Sequence, residues 1–221
     1  MITRAFFAAR RGDMTTEACL AHWRGEHAKI GARLPGVRAY VQNHGVLEDG
    51  RFLLGYPGFD IMPELDWDDL AAMDRAIDSP VHEQDSVDDE AKFIDVTRTG
   101  YAVTTRHVVS DSRTSPGAAK LITLLRQAPG TPVNALGGAL AGPYAAVVSS
   151  ASGGRHEVLI TLPDRDGRPP FSFQAVDMIW FASPRDALAW VTSDAAAQAA
   201  WHLAGLAMGT ERLVATPHKI V

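Results

Sequence analysis

Residues 22–44 read HWRGEHAKIGARLPGVRAYVQNH, and within them the hydrophobic period changes. Cys19, Leu20, Trp23, His27, Ile30 and Leu34 recur at spacings of three and four, which predicts one amphipathic helix ended by Pro35-Gly36. From Val37 the period is two, with Val37, Ala39 and Val41 on one face of a strand and Arg38, Tyr40, Gln42 and His44 on the other. The apolar face is expected to pack on the helix and the polar face to look away from it. The stretch also holds three of the eight histidines, so proton-transfer side chains concentrate here.

Outward from this stretch the chain reads as strand, helix, strand, strand, helix, strand. Residues 2–10 (ITRAFFAAR) suit a strand ahead of the Gly12-Asp13 turn, and Thr15 with Glu17 supplies a helix start. Residues 48–58 are rich in turn formers, and a short strand is expected over 58–62. Asp66 is placed as the cap of a second helix carrying Leu70, Met73 and Ile77. The acidic segment 83–90 reads as a solvated helix or loop, and 93–109 as the closing strand or pair of strands. This order is the split βαβ arrangement of a ferredoxin-like unit.

The plan then repeats. Residues 120–129 (KLITLLRQAP) echo 3–12, and Phe59-Asp60 finds a counterpart in Val176-Asp177 at the same offset. Ser183-Pro184 starts a helix in the second half, and TTRHVV (104–109) resembles TPHKIV (216–221). His107 and His218 fall at similar places in these segments, which suggests a shared structural position. The fold class is therefore α+β: two ferredoxin-like βαββαβ units, residues 1–112 and 118–221, joined near 110–117. A four-stranded sheet with both helices on one face leaves the other bare, so the two sheets are expected to cover each other as an intramolecular α+β barrel. Tyr40, Gln42 and His44 would then face the space between them.

Composition narrows the function. The 221 residues are 46% hydrophobic, enough for a sizeable core, and carry a formal charge of −5 without a basic run, which disfavours a nucleic-acid partner. No apolar run has the length of a membrane span, so no membrane partner is expected. Cys19 is the one cysteine; it allows no intrachain disulfide, reads as a small buried hydrophobe and fits a cytoplasmic location. The Ala-rich run 195–207 reads as a packed or interface helix, and 164–170 (DRDGRPP) as a turn-forming loop, hairpin tip or lid.

The string W-x-x-E-H-A (Trp23, Glu26, His27, Ala28), L-P-G (Leu34 to Gly36) and Y-V-Q-N-H (Tyr40 to His44) resembles the EthD domain family of dimeric α+β barrel proteins. The resemblance covers residues 1–109; in the second unit Pro143-Tyr144 replaces Glu26-His27, and Glu157 to Thr161 replaces Tyr40 to His44. Lactone-rearranging members of the family are similar in placing a helix histidine and a strand tyrosine in a pocket, which by motif match fall on His27 and Tyr40. Their additional loop histidine has no counterpart between Glu48 and Gly58.

The residues permit proton abstraction beside a carbonyl. His27 exchanges a proton near neutral pH, Tyr40 donates to a carbonyl or enolate oxygen, and His44 lies on the same strand face as a second base or orienting group. Trp23, Gln42 and Arg38 are the candidate substrate contacts. The expected function is a cofactor-independent isomerase, cyclase or lyase acting on a small cyclic or aromatic oxygenated metabolite. The alternative is a non-catalytic small-molecule binding or accessory protein, and a third reading is a haem enzyme using a helix histidine. No metal is assigned: His22 and Glu26 share a helix face, but His27, five positions after His22, should point about 140° away, and neither HExxH nor HxxEH occurs. One site per chain, in the first unit, is expected, with a homodimer of these two-unit chains as a further association.

Overall fold

The computed structural model describes residues 1–111, 119–132, 134–152, 154–163 and 173–221, the side chains of 209–210 excepted. The first unit runs β1 (Ile2–Arg10), α1 (residues 16–31), β2 (Ala39–Gly45), the small hairpin β3 (Leu47–Glu48) and β4 (Arg51–Phe52), β5 (Ile61–Trp67), α2 (Leu70–Ile77), α3 (residues 81–93) and β6 (Ile94–Ser110). The second runs β7 (Ala119–Gln127), α4 (Ala135–Ala141), α5 (Pro143–Ser152), β8 (His156–Thr161), β9 (Ala175–Phe181), α6 (Pro184–Val191), α7 (Asp194–Trp201) and β10 (Ala207–Lys219). Residues 112–117 of the joint expected near 110–117, and the loop 164–170, lie outside the described residues.

Each unit has the split βαβ strand order, β6-β1-β5-β2 and β10-β7-β9-β8, and all pairs are antiparallel. The two sheets are fused edge to edge: β2 pairs with β10 and β6 with β8, giving one closed eight-stranded barrel. Closure leaves none of these eight strands with an open edge.

Local chemistry explains the boundaries. Thr15 accepts from the Ala18 N–H at 3.2 Å and starts α1, Ser183 does the same for Asp186 and α6, and Asp69, not Asp66, caps α2. The strand expected over 58–62 begins later and runs to Trp67. The reason is that Asp66 is buried in the barrel, where it accepts from Thr3 Oγ1 at 2.6 Å, and so is spent on tertiary structure and not on a cap.

The barrel interior combines an apolar cluster with a cluster of charges. Ala5, Phe7, Met62, Leu124, Leu159, Met178 and Leu213 pack together. On the same strand face as Met62, Glu64 takes Lys120 Nζ at 2.6 Å, Asn43 Nδ2 at 2.8 Å and Arg106 Nη2 at 2.9 Å. Arg106 also reaches Glu157 at 2.6 Å, and Lys120 Nζ sits 4.6 Å from the Trp180 ring centroid. Burial alone would raise the Glu64 carboxyl, but Lys120 and Arg106 outweigh it and hold it down at about 2. The space between the sheets is filled by side chains.

Outside the barrel, α1 packs Cys19, Leu20 and Trp23 with Phe93 against Ala8 and Ile61, and Leu34, Tyr40, Trp67 and Met73 form an adjoining cluster. Leu136, Leu140, Tyr144, Val148 and Trp190 do the equivalent in the second unit. Each large apolar side chain so buried contributes about 1.5–3 kcal/mol.

Candidate active site

α1 positions the two helix histidines. Thr16–His22 and Ala28–Gly31 are α-helical, but Trp23–His27 between them is a π turn, in which the Ala28 N–H donates to the Trp23 carbonyl five residues back. The extra residue in that turn brings His27 round to the side of His22, where unbroken α-helical spacing would set them apart. Both meet one carboxylate: Asp89 Oδ2 lies 3.0 Å from His27 Nδ1 and 3.1 Å from His22 Nε2. Lys92 Nζ closes the cluster at 3.1 Å from Asp89 Oδ1. Glu26, expected beside His22, is exposed and pairs with Lys29.

His27 is 8% exposed and packs 5.1 Å from the Phe93 ring centroid. Burial lowers its pKa, with the Asp89 hydrogen bond opposing, so the ring is neutral at pH 7. Burial works against the Asp89 charge, yet the hydrogen bonds from His22, Lys92 and His27 prevail and keep its carboxyl low. A carboxylate accepting at Nδ1 fixes the tautomer with the proton on Nδ1 and leaves Nε2 as the base. Among the described residues nothing hydrogen-bonds that Nε2. Beside this cluster, burial raises the Glu90 carboxyl, with Arg4 opposing, and Glu90 accepts from Ser86 Oγ at 3.1 Å.

The strand residues stand on the opposite face from the one expected. Tyr40, Gln42 and His44 lie under α1, and Asn43 points into the barrel. A Cβ on Gly31 would come within 2.6 Å of Tyr40 Cε1, so the tyrosine ring is laid directly on the helix. Gln42 Nε2 donates to the Trp23 carbonyl and to the Tyr40 hydroxyl, both at 2.8 Å. Gln42 Oε1 lies 2.9 Å from His44 Nε2, and the His44 ring stacks on Trp23 at 4.6 Å and 13°. Both faces of β2 are covered, so alternation could not say which one turned inward.

Burial raises the Tyr40 hydroxyl to about 12, and burial with His218 nearby lowers His44 to about 3. Trp23, Tyr40 and Gln42 are each at most 2% exposed, so in this structure they contact one another and not solvent. Arg38 is remote from them: it is exposed and pairs with Asp68.

Asp89 and Glu90 fell in the segment read as a solvated helix or loop. In the structure Ser86, Asp89 and Phe93 are buried at helical spacing, which puts the aspartate on the packed stripe of α3. Among the described residues no group of three or more His, Cys, Asp or Glu is arranged to hold a metal ion.

Residues 139–161, the counterpart of 22–44, read as keeping its spacing without its titratable matches, yet Tyr144 and His156 of that stretch meet a shared carboxylate. Tyr144 donates to Asp177 Oδ2 at 2.6 Å, and Asp177 Oδ1 lies 2.6 Å from Nε2 of the fully buried His156. Strand pairing gives the equivalence: His218 stands opposite Gln42 and His107 opposite Val158, so His156, Val158 and Ile160 take the places of Tyr40, Gln42 and His44. The same logic matches Asp60 to Gln174, because Ile61 faces Ala8 and Ala175 faces Leu125; the Asp60–Asp177 match read from sequence is out of register. A cleft of about 930 Å³ opens in this unit, between α4, the outer face of β8 and the turn after β7.

Two ferredoxin-like units closed into one barrel, with helices over the outer face, define a single-chain form of the dimeric α+β barrel. Residues 11–97, within the first unit, match the model of the EthD domain. No curated protein matches the sequence significantly. Among solved structures, an anthrone oxidase-like protein superposes with a TM-score of 0.68 at 12% identity, covering 99% of this chain and 92% of that one. A protein of Lactobacillus acidophilus NCFM, provisionally named a monooxygenase, gives 0.58 at 9% identity, with 100% and 94% covered. A mutant chlorite dismutase from Candidatus Nitrospira defluvii gives 0.54 at 6% identity, with 99% and 92% covered. At these identities the likeness is one of fold, including the two-unit plan in one chain. No helix among the described residues is long and apolar enough to cross a membrane.

Proposed function

We propose that the first unit is a cofactor-independent proton-transfer enzyme, an isomerase, cyclase or lyase acting on a small cyclic or aromatic oxygenated compound. The observation that carries this reading is the Asp89–His27 pair, 3.0 Å apart, with His27 Nε2 left without a protein partner among the described residues. In this reading Nε2 takes a proton from the carbon next to a carbonyl, and the electron pair moves onto the carbonyl oxygen. Tyr40, whose hydroxyl accepts from Gln42 and keeps its own proton, is the donor proposed for that oxygen. Return of the proton at another carbon gives isomerisation, and its delivery to a departing hydroxyl gives loss of water. His44, held neutral, orients Gln42 and through it Tyr40.

The test is deuterium wash-in from D2O into a panel of cyclic ketones and lactones, followed by NMR. Exchange by the native protein that falls at least a hundredfold in His27→Ala and tenfold in Asp89→Asn and Tyr40→Phe supports the reading. Equal exchange in the native protein and His27→Ala refutes it. One observation favours a second reading, a non-catalytic binding protein: Trp23, Tyr40 and Gln42 are packed against each other. Recovery of a tight complex with an unaltered ligand and no wash-in would favour that reading instead.

A further inference from the structure

The pseudo-twofold symmetry of the barrel makes two sheet-to-helix spaces, and their linings differ. In the first unit the space is occupied by the Trp23 and His44 rings, stacked and tied through Gln42. In the second, Ile160 stands where His44 does and Val158 where Gln42 does, so neither the stacking ring nor the tying amide is present. What remains open there is the cleft of about 930 Å³, in the upper part of the range of small-molecule sites, about 300–1,000 Å³.

Its floor is Val158 and Ile160, its wall Leu136 and Gly137 of α4, and its polar groups include Gln127 and Asn134. His107, 3.0 Å from Thr105 Oγ1, lies at the rim. No described lining residue is Asp, Glu, Lys or Arg. Gly137 and Gly138 lie in the middle of a helix, where each costs about 1 kcal/mol relative to alanine. They keep the wall low: a Cβ on Gly137 would touch Ile160 Cδ1 at 3.6 Å, and one on Gly138 would meet nothing within 4 Å.

We infer that this second-unit cleft is a binding site for an uncharged, flat molecule of two or three fused rings bearing a hydroxyl or carbonyl oxygen. The apolar floor takes the ring faces, the absence of a charged side chain among the described lining residues disfavours an ion, and the amides and His107 supply hydrogen bonds to the oxygen. The inference is independent of the proton-transfer reading, since no residue of the His27 cluster lines the cleft.

The experiment is calorimetric titration with 1-naphthol and, as an anion of the same size, 1-naphthoate. Native protein should bind one 1-naphthol per chain and bind 1-naphthoate at least tenfold more weakly. Gly137→Leu, whose Cβ meets Ile160 Cδ1 at ordinary contact distance and whose side chain extends from the cleft wall, should weaken 1-naphthol at least tenfold; His27→Ala should leave it unchanged. If Gly137→Leu fails to fold by circular dichroism, Ile160→Phe takes its place with the same expectation. Absence of 1-naphthol binding at millimolar concentration, equal affinity for the two probes, full binding by the folded filled variant, or loss of binding in His27→Ala would each overturn the inference.

Discussion

The Asp89 carboxylate accepts at 3.0 Å from Nδ1 of His27, across 62 residues of sequence. The contact depends on the π turn that carries His27, and it sets the ring's tautomer. Asp89→Asn should therefore change the imidazole itself, because the amide offers either an oxygen or an NH2 to Nδ1 and no charge. In 15N NMR at pH 7 the native His27 should show a protonated Nδ1 and a bare Nε2. The variant should show a mixture of the two, and an unchanged spectrum would separate the carboxylate from the tautomer.

Burial depresses the His27 and His44 pKa values, the latter to about 3, and lowers that of His218. A base depressed in the fold binds fewer protons there than in the unfolded chain. Stability from these groups is therefore complete above the unfolded value near 6.5 and is lost as pH falls through the folded values. Urea unfolding at pH 7.5, 5.5 and 4.5 should show a steady decline, and His44→Gln should flatten it. A decline as steep in the variant would assign the acid sensitivity elsewhere.

Gln42 satisfies the Trp23 carbonyl and the Tyr40 hydroxyl at once, in a wholly buried place. Gln42→Leu leaves two buried polar groups without that donor and should cost about 2–6 kcal/mol by denaturant unfolding, at about 1–3 kcal/mol for each group. A cost under about 1 kcal/mol would mean that both groups find other partners.

Gly31→Ala tests which face of β2 meets the helix. Its Cβ would lie 2.6 Å from Tyr40 Cε1, and the ring belongs to a buried cluster with Leu34, Leu65 and Trp67. A loss of about 1–3 kcal/mol is expected from overpacking. Had Tyr40 faced the barrel interior, the alanine would have been neutral or stabilising as a better helix former.

Lys120 is 2% exposed and lies 2.6 Å from Glu64. Lys120→Met removes one partner from a buried charge and should cost about 3–5 kcal/mol in chemical denaturation. Adding Glu64→Gln should recover part of the loss, since it removes the charge left behind; a strictly additive double variant would argue against coupling between the two.

The helix-to-strand switch was legible from the spacing in residues 22–44, because amphipathic periods are local properties, and the repeat from the echo of residues 3–12 in 120–129. The direction in which β2 faces was not, since covering on both sides erases the contrast between faces. Asp66 looked like a cap because aspartate before a helical pattern usually is one, and its partner Thr3 lies 63 positions away. His27 was legible as a candidate, but Asp89 was not: an acidic run reads as solvated until the histidines that neutralise it are known. The π turn has the same character, for nothing in WRGEH marks it as different from an α-helical turn. The second unit's cleft went unread because it is defined by what Val158 and Ile160 lack.

Closing the barrel within one chain has a consequence for how the two halves vary. In a symmetric pair of identical subunits, every substitution is written twice, so a change that empties one cleft empties both. Here positions 44 and 160 are separate codons at equivalent places in one scaffold. Histidine at the first ties a filled pocket, and isoleucine at the second floors an open one. The covalent joint removes the requirement of symmetry while the edge pairing of β2 with β10 and β6 with β8 retains its stability, so the two halves are free to take on different work.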